Sequence, residues 1–314
     1  MPRKLLVVFG ATGNQGGSII NFVMNDPFLC NQYQIRAVTR DVNKPKAIEL
    51  RMRGFEVCYG DYDNYSSLLY VLQGVDTVFI VTLPIYDEHM YEREVRQGKA
   101  AANAANAQSA NLIIFSTLPN ARVVSGGGLD FTEPFDTKAD IEDYIRTLPS
   151  VNKAFFIPGF YMQNFRSHMG PKRIADGSYV LNGCVSPQTQ LPLIDITETG
   201  KFIGAILHRP GNFAQASPPL CAATRLYSYT EIAAIMTRVT GRTVRYRQLP
   251  SQVWTQTVGA DRIKGHALAT FLWIELFGYF GADTAGQMVY ARNNARGELT
   301  EFEDWLRNNP LQLQ

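Results

Sequence analysis

The residues with the most chemical content in this chain are glycines. An apolar run, Leu5-Leu6-Val7-Val8-Phe9, leads into Gly10-Ala11-Thr12-Gly13-Asn14-Gln15-Gly16-Gly17-Ser18, and apolar residues resume at Ile19, Ile20, Phe22 and Val23. The pattern predicts a buried strand, a tight turn and the start of a helix. Such a turn lets backbone approach a pyrophosphate, while the unpaired N–H groups and positive dipole end of the helix face the anion. The other reading of the triplet is a turn needed only for close strand–helix packing. The next strand, Gln34 to Thr39, ends at Arg40, about 24 residues past Gly16. A site for NAD usually places an acidic residue roughly 20 residues on, to accept from the ribose 2′-hydroxyl. Arginine instead suits a 2′-phosphate through its fixed charge and planar fork. NADP(H) is therefore favoured over NAD(H), with Asp41 directly after Arg40 keeping NAD(H) open. The bland reading of Arg40 is a solvated loop cation.

Positioning such a site takes regularly alternating elements. Helix from Pro45 to Gly54, strand Phe55–Tyr59, helix Asn64 to Gly74 and strand Thr77–Val81 follow one another with short connections. A long helix from about Glu88 to Ala107, strand Asn111–Phe115, a helix around Asp136–Arg146 and strand Lys153–Ile157 complete the series. This alternation predicts an α/β fold with a doubly wound parallel sheet and ligands at the carboxyl ends of its strands. Beyond Pro158 the pattern loosens, and Gly, Pro and Asn crowd the stretch from Gly170 to Pro192. Residues 1–157 are read as the dinucleotide-binding core and 158–314 as a smaller mixed lobe. A segment at about 192–207 is expected to return to the core.

Composition narrows the function. The chain has 314 residues, 46% hydrophobic content and a net charge of +2, which gives no strong pull toward nucleic acid or an acidic membrane. Arg238, Arg242, Arg245 and Arg247 form a local basic cluster, read as a solvated helix end and strand face. Cys30, Cys58, Cys184 and Cys221 are far apart and lack a Cys-x-x-Cys pattern; neither disulfides nor a zinc site is expected, and the compartment is expected to be reducing. The four histidines show no metal-ligand spacing. Strand one begins almost at once, which argues against a signal peptide. The apolar stretch Phe271–Phe280 is short and interrupted by Glu275. A cytoplasmic location, with the nucleus open to it, follows.

Further segments carry a resemblance. Arg40-Asp41, Gly60-Asp61-Tyr62-Asp63 and Gly74-Val75-Asp76-Thr77-Val78-Phe79 join the glycine turn. They are followed by Phe115-Ser116-Thr117-Leu118-Pro119, then Phe135 through Glu142, Pro158 through Asn164 and Phe302-Glu303-Asp304-Trp305-Leu306. In this order, over nearly the whole chain, they resemble the NmrA-like family, an atypical branch of the short-chain dehydrogenase/reductase superfamily near the isoflavone reductase group. The resemblance implies an NAD(P)-binding Rossmann core with a small C-terminal lobe. It also implies one of two functions: a reductase of a small-molecule substrate, or a non-catalytic redox sensor of a protein partner.

Orthodox members of that superfamily use Tyr-x-x-x-Lys with a serine. This sequence contains no Tyr-x-x-x-Lys, and Pro134 stands four residues before Lys138. Lys138 matches the family lysine that faces the nicotinamide ribose; its alternatives are general acid–base catalysis and simple ribose binding. Ser116 and Thr117, at the end of strand five, match the place of the catalytic serine, with capping as their bland alternative. Tyr161 is a second proton-donor candidate, or else packs on the nicotinamide beside Phe160. By position, Gly10, Thr12, Gly13, Asn14, Gln15 and Gly16 are expected at the pyrophosphate and ribose. Asp61 is expected at the adenine unless it is only a turn residue, and Thr82, Leu83, Pro84 and Thr117 at the nicotinamide side. Phe165 and His168 are weaker candidates for the border of a substrate cavity. An NADPH-dependent oxidoreductase acting on a small carbonyl or enone is favoured over the redox sensor, and a direct nucleic-acid binder is not expected.

Overall fold

Runs of buried branched and aromatic residues form the sheet that organises the chain. The computed structural model describes residues 2–214 and 218–313. Its first half carries strands β1 (Lys4–Phe9), β2 (Tyr33–Thr39), β3 (Glu56–Tyr59), β4 (Thr77–Ile80), β5 (Leu112–Ser116) and β6 (Asn152–Pro158). The second half adds β7 (Phe160–Tyr161), β8 (Lys172–Arg173), β9 (Tyr179–Gly183), β10 (Gln190–Ile194), β11 (Leu220–Ala222), β12 (Arg225–Ser228) and β13 (Val244–Gln248). Seven of these make one parallel sheet in the order β11-β6-β5-β4-β1-β2-β3. Every residue of β4 and β5 is buried, as expected for strands covered on both faces. The order reverses beside β1, so a crevice opens at the carboxyl ends of β1 and β4.

Helices cover both faces. On one lie α1 (Asn14–Asn25), the short α2 (Leu29–Gln32) and α3 (Pro45–Met52), packed through Ile19, Ile20, Val23, Leu29 and Leu50. On the other lie α4 (Tyr65–Val71), α5 (Met90–Ala107) and, after the single turn α6 (Ala121–Val124), α7 (Glu133–Thr147). Ala101, Ala102, Ala104 and Ala105 of α5 are fully buried against the sheet, so their small side chains bring the helix close. The helix α8 (Thr199–His208) returns to the first face, through Phe202, Ile203 and Ile206. The remaining helices are α9 (Tyr229–Thr240), α10 (Ser251–Thr257), α11 (Asp261–Phe277), α12 (Thr284–Asn294) and α13 (Phe302–Asn308). Most of them enclose a separate aromatic-rich core with Phe160, Phe165, Tyr227, Trp254, Trp273 and Trp305.

Three local readings differ from the structure. α7 starts at Glu133, a turn before Asp136. The Asp136 carboxylate accepts from the Thr132 hydroxyl (2.6 Å) and the Arg122 N–H (2.9 Å), and Pro134 fits the first turn, where its missing N–H costs nothing. The stretch 170–192, read as irregular, contains β8, β9 and most of β10. These strands join two small sheets, β12-β10-β7 and β13-β9-β8; β8 and β9 pair locally, whereas β9 with β13 and β10 with β12 pair across long sequence separations that leave little local signature. The large sheet also gains β11, only three residues long. The basic cluster lies exposed on a helix end and a strand face, as expected, where Arg238 meets Glu303 and Arg247 donates to Asn182.

Candidate functional site

The turn after β1 has the geometry an anion needs. Gly10 adopts φ +65°, the left-handed region that costs a residue with a Cβ roughly 1–2 kcal/mol. A Cβ on Gly16 would collide with the Gly10 carbonyl, so the helix starts as close to β1 as backbone allows. The Gly13 N–H closes the turn onto the Gly10 carbonyl at 2.8 Å. No side chain caps α1, and its first turn holds no acidic residue. The first N–H groups of the helix therefore face outward without intrahelical acceptors. Thr12, Gly13 and Asn14 lie at the surface of this turn, half-buried or exposed. Behind them the Gln15 Oε1 atom is buried without a hydrogen-bond partner among the described residues. An open helix terminus and an orphaned buried acceptor fit a bound diphosphate–ribose unit.

At the end of β2 Arg40 is exposed and forms no ion pair among the described residues. The neighbouring Asp41 carboxylate accepts from the Asn43 N–H at 2.9 Å, a turn contact that occupies one of its oxygens. Asp61, after β3, is likewise turned onto its own loop: its Oδ1 accepts from the Asp63 N–H at 3.0 Å. The turn role is thus the one its side chain fills here.

Beside the end of β4 lies a buried ion pair. Thr82 follows β4, Lys138 lies on α7, and Glu94 projects from α5. The Lys138 ammonium donates to the Thr82 carbonyl (3.1 Å), to the Thr82 hydroxyl (3.0 Å) and to the Glu94 carboxylate. Glu94 also accepts from the hydroxyls of Thr82 (2.7 Å) and Thr137 (2.8 Å). Its side chain is 1% exposed and that of Lys138 12%. The Thr117 hydroxyl donates to the Lys138 carbonyl at 3.2 Å, so it braces α7. Sequence reasoning missed Glu94. Its signal was helical spacing: Met90, Glu94, Gln97, Ala101 and Ala105 share the buried face of α5, where an unpaired carboxylate would be costly.

Thr82, Thr117 and Lys138 line a cleft of about 330 Å³ at the carboxyl ends of the central strands, with Glu94 behind its wall. Gln15, Thr82, Leu83, Pro84, Ser116, Thr117, Lys138, Phe160 and Tyr161 all reach it. Sequence reasoning did not place Tyr86, Asn164, Thr270 and Tyr279, which also line it. The Gln15 amide donates to the Tyr161 hydroxyl at 3.1 Å and so joins the glycine turn to the far wall. Burial pushes the Tyr161 phenol above its ordinary value, against the hydrogen bond from Gln15. Phe165 does not border the cleft: it is fully buried against Phe160 and Phe302, because the 3-10 turn Met162–Arg166 aims it into the aromatic-rich core. His168 stands outside the cleft lining as well.

The NmrA-like family model matches residues 2–306. The chain belongs to the NmrA-like family. An NmrA-like family domain-containing protein of Dictyostelium discoideum is 27% identical over 317 residues, covering 98% of each chain. An NmrA-like family domain-containing oxidoreductase of Penicillium ochrochloron is 25% identical over 259 residues, covering 78% of this chain and 76% of the other. The structure of NmrA, a negative transcriptional regulator, in complex with NADP superposes with a TM-score of 0.77 at 20% identity and covers 99% of both chains. NmrA has also been solved in complex with NAD. At that identity the superposition shows a shared fold, which here is the parallel seven-stranded sheet with two smaller mixed sheets.

Proposed function

We propose that this family member is an NADP(H)-dependent oxidoreductase that reduces a small carbonyl or enone-type substrate. The observation that carries the reading is the single cleft that joins Gln15 of the glycine turn to Tyr161, with Ser116 and Lys138 on the same walls. The family relationship, a relative named an oxidoreductase, and the dinucleotide complexes of NmrA support it. The glycine turn and α1 N-terminus would hold the diphosphate, and Arg40, free of any acidic partner, would hold a 2′-phosphate. Thr82, Leu83, Pro84 and Lys138 would meet the nicotinamide ribose.

The chemistry the dinucleotide supplies when bound is hydride transfer, which leaves the protein to place the substrate, exclude water and deliver a proton. Phe160, Tyr86 and Tyr279 wall the cleft with apolar rings. The hydroxyl of Ser116, buried at the end of β5, has no hydrogen-bond partner among the described residues and is available to a substrate oxygen. Tyr161 keeps its proton through neutral pH and has no other acceptor for it among the described residues, which suits a general acid. A second reading, a redox sensor for a protein partner, is favoured by one observation: Pro134 occupies the cleft wall where the orthodox tyrosine would stand. It would require partner affinity to differ between the NADPH- and NADP⁺-bound forms.

Calorimetric titration with NADPH, NADP⁺, NADH and NAD⁺ tests the reading. NADPH is expected to bind more tightly than NADH, and Arg40→Asp to weaken NADPH about tenfold or more, the worth of a charge-assisted contact. Consumption of NADPH with a carbonyl and enone panel then separates oxidoreductase from sensor. Absence of binding by any dinucleotide would overturn both.

A further inference from the structure

The Lys138–Glu94 pair raises a question that the cofactor assignment leaves open. A buried ion pair is seldom kept for stability, since well-packed apolar residues of similar volume serve as well or better. This pair is also fully satisfied. A lysine ammonium has three donors, and the Thr82 carbonyl, the Thr82 hydroxyl and Glu94 take all three. Glu94 in turn accepts from Lys138, Thr82 and Thr137. The two charges come from different helices, α5 and α7, and meet at the wall of the cleft next to the end of β4.

We infer that Glu94 is a positioning residue that holds Lys138 as a fixed cation at the nicotinamide end of the cleft and withdraws it from general-base work. This rests on the dinucleotide reading above. A general base needs an amine lone pair, and a lysine donating through all three N–H bonds, one of them to a carboxylate, presents none. To touch a ribose hydroxyl, Lys138 must exchange one bond. The neutral Thr82 acceptors are the exchangeable ones, because giving up Glu94 would leave a carboxylate buried and unpaired. Glu94 is thus the pivot and Thr82 the place-holder. Proton delivery falls to Tyr161 or Ser116, which line the same cleft.

The test uses two ligands that share one end. NADPH reaches both halves of the crevice, whereas 2′,5′-ADP occupies only the adenosine half; if the wild type binds NADH instead, 5′-ADP replaces it. Each Kd is measured by calorimetry for the wild type, Glu94→Gln and Glu94→Asp, with the melting temperature as a fold control. Glu94→Asp keeps the charge and so protects the fold while drawing the ammonium back by about one methylene. Both variants are expected to weaken NADPH about tenfold, the loss of one charge-assisted contact, and to change 2′,5′-ADP less than about twofold. Unchanged NADPH binding in both variants overturns the inference. Parallel loss of both ligands in Glu94→Asp also overturns it, because a merely structural carboxylate would act on both. A wild-type chain that binds neither dinucleotide overturns the dinucleotide reading, and the inference with it.

Discussion

Tyr161 carries the proton question at the scale of single residues. Burial raises its pKa above the ordinary phenol value of 10.0, and the Gln15 hydrogen bond opposes that shift without cancelling it. The sign follows directly: the acid form is the one that donates, it is fully present below the raised value, and it is lost only as pH rises through it. The rate of substrate reduction should therefore hold level toward alkaline pH, with no loss assignable to Tyr161 below pH 10.0. Tyr161→Phe should lower kcat by about 10²–10⁴-fold, the usual worth of a positioned acid, while NADPH affinity stays close to that of the wild type. Stopped-flow rates over a pH series check both. Full activity in the phenylalanine variant would move the proton to Ser116.

Asp26 shows how elements are tied together behind the site. It ends α1, and its carboxylate accepts from the N–H groups of Phe28 (3.0 Å) and Leu29 (2.9 Å) at the start of α2. It also lies 2.9 Å from the ring of His208 at the end of α8. Burial pushes its pKa up, but the hydrogen bonds from Leu29, His208 and Phe28 outweigh it, and the net shift is below the ordinary 3.8. A depressed carboxylate contributes stability that is present above its unfolded value and lost as pH falls through the folded one. Asp26→Asn should thus cost about 1–2 kcal/mol at neutral pH, by loss of the charge on a cap-like acceptor. The gap between variant and wild type should narrow below pH 3.8, as denaturant melts at several pH values would show. Ser18 adds a second tie between α1 and α8 through the Gly200 N–H at 2.9 Å.

The whole molecule depends on its last helix. α13 plugs the small-lobe core with Phe302, Trp305 and Leu306, all almost fully buried. Its start is fastened by Tyr227, whose hydroxyl donates to Glu301 at 2.6 Å and accepts from the Phe302 N–H at 2.9 Å, with Arg225 stacked on the ring. Thr300 reaches back to the buried Glu198 at the start of α8, so the C-terminal segment contacts both cores. Trp305→Ala should destabilise the chain by about 3–5 kcal/mol, the cost of emptying a large aromatic site, as measured by urea unfolding. Because that core also seats Phe160 and Tyr279, two walls of the cleft, the same variant should raise KM for the substrate. Among the described residues no helix is long and apolar enough to cross a membrane.

The order of strands and helices up to β6 was legible because each element signals itself within a few residues. Strands covered on both faces read as apolar runs, and glycine or proline marks the helix ends. The glycine turn was legible for the same reason, since Gly10, Gly13 and Gly16 act within a single strand–turn–helix unit. Lys138 could be placed on its helix, but its state could not be read. The carboxylate that engages it lies 44 residues earlier in the chain, and only the packing of α5 against α7 brings the two together. Tyr279 and Thr270 reach the cleft for a similar reason, because the small lobe folds back over the sheet. A strand was expected to start near Cys221, but its place at the edge of the large sheet, and the pairing of β9 with β13, depend on partners far along the chain. Local chemistry wrote the frame and the glycine turn, and non-local packing decided which side chains share the cleft.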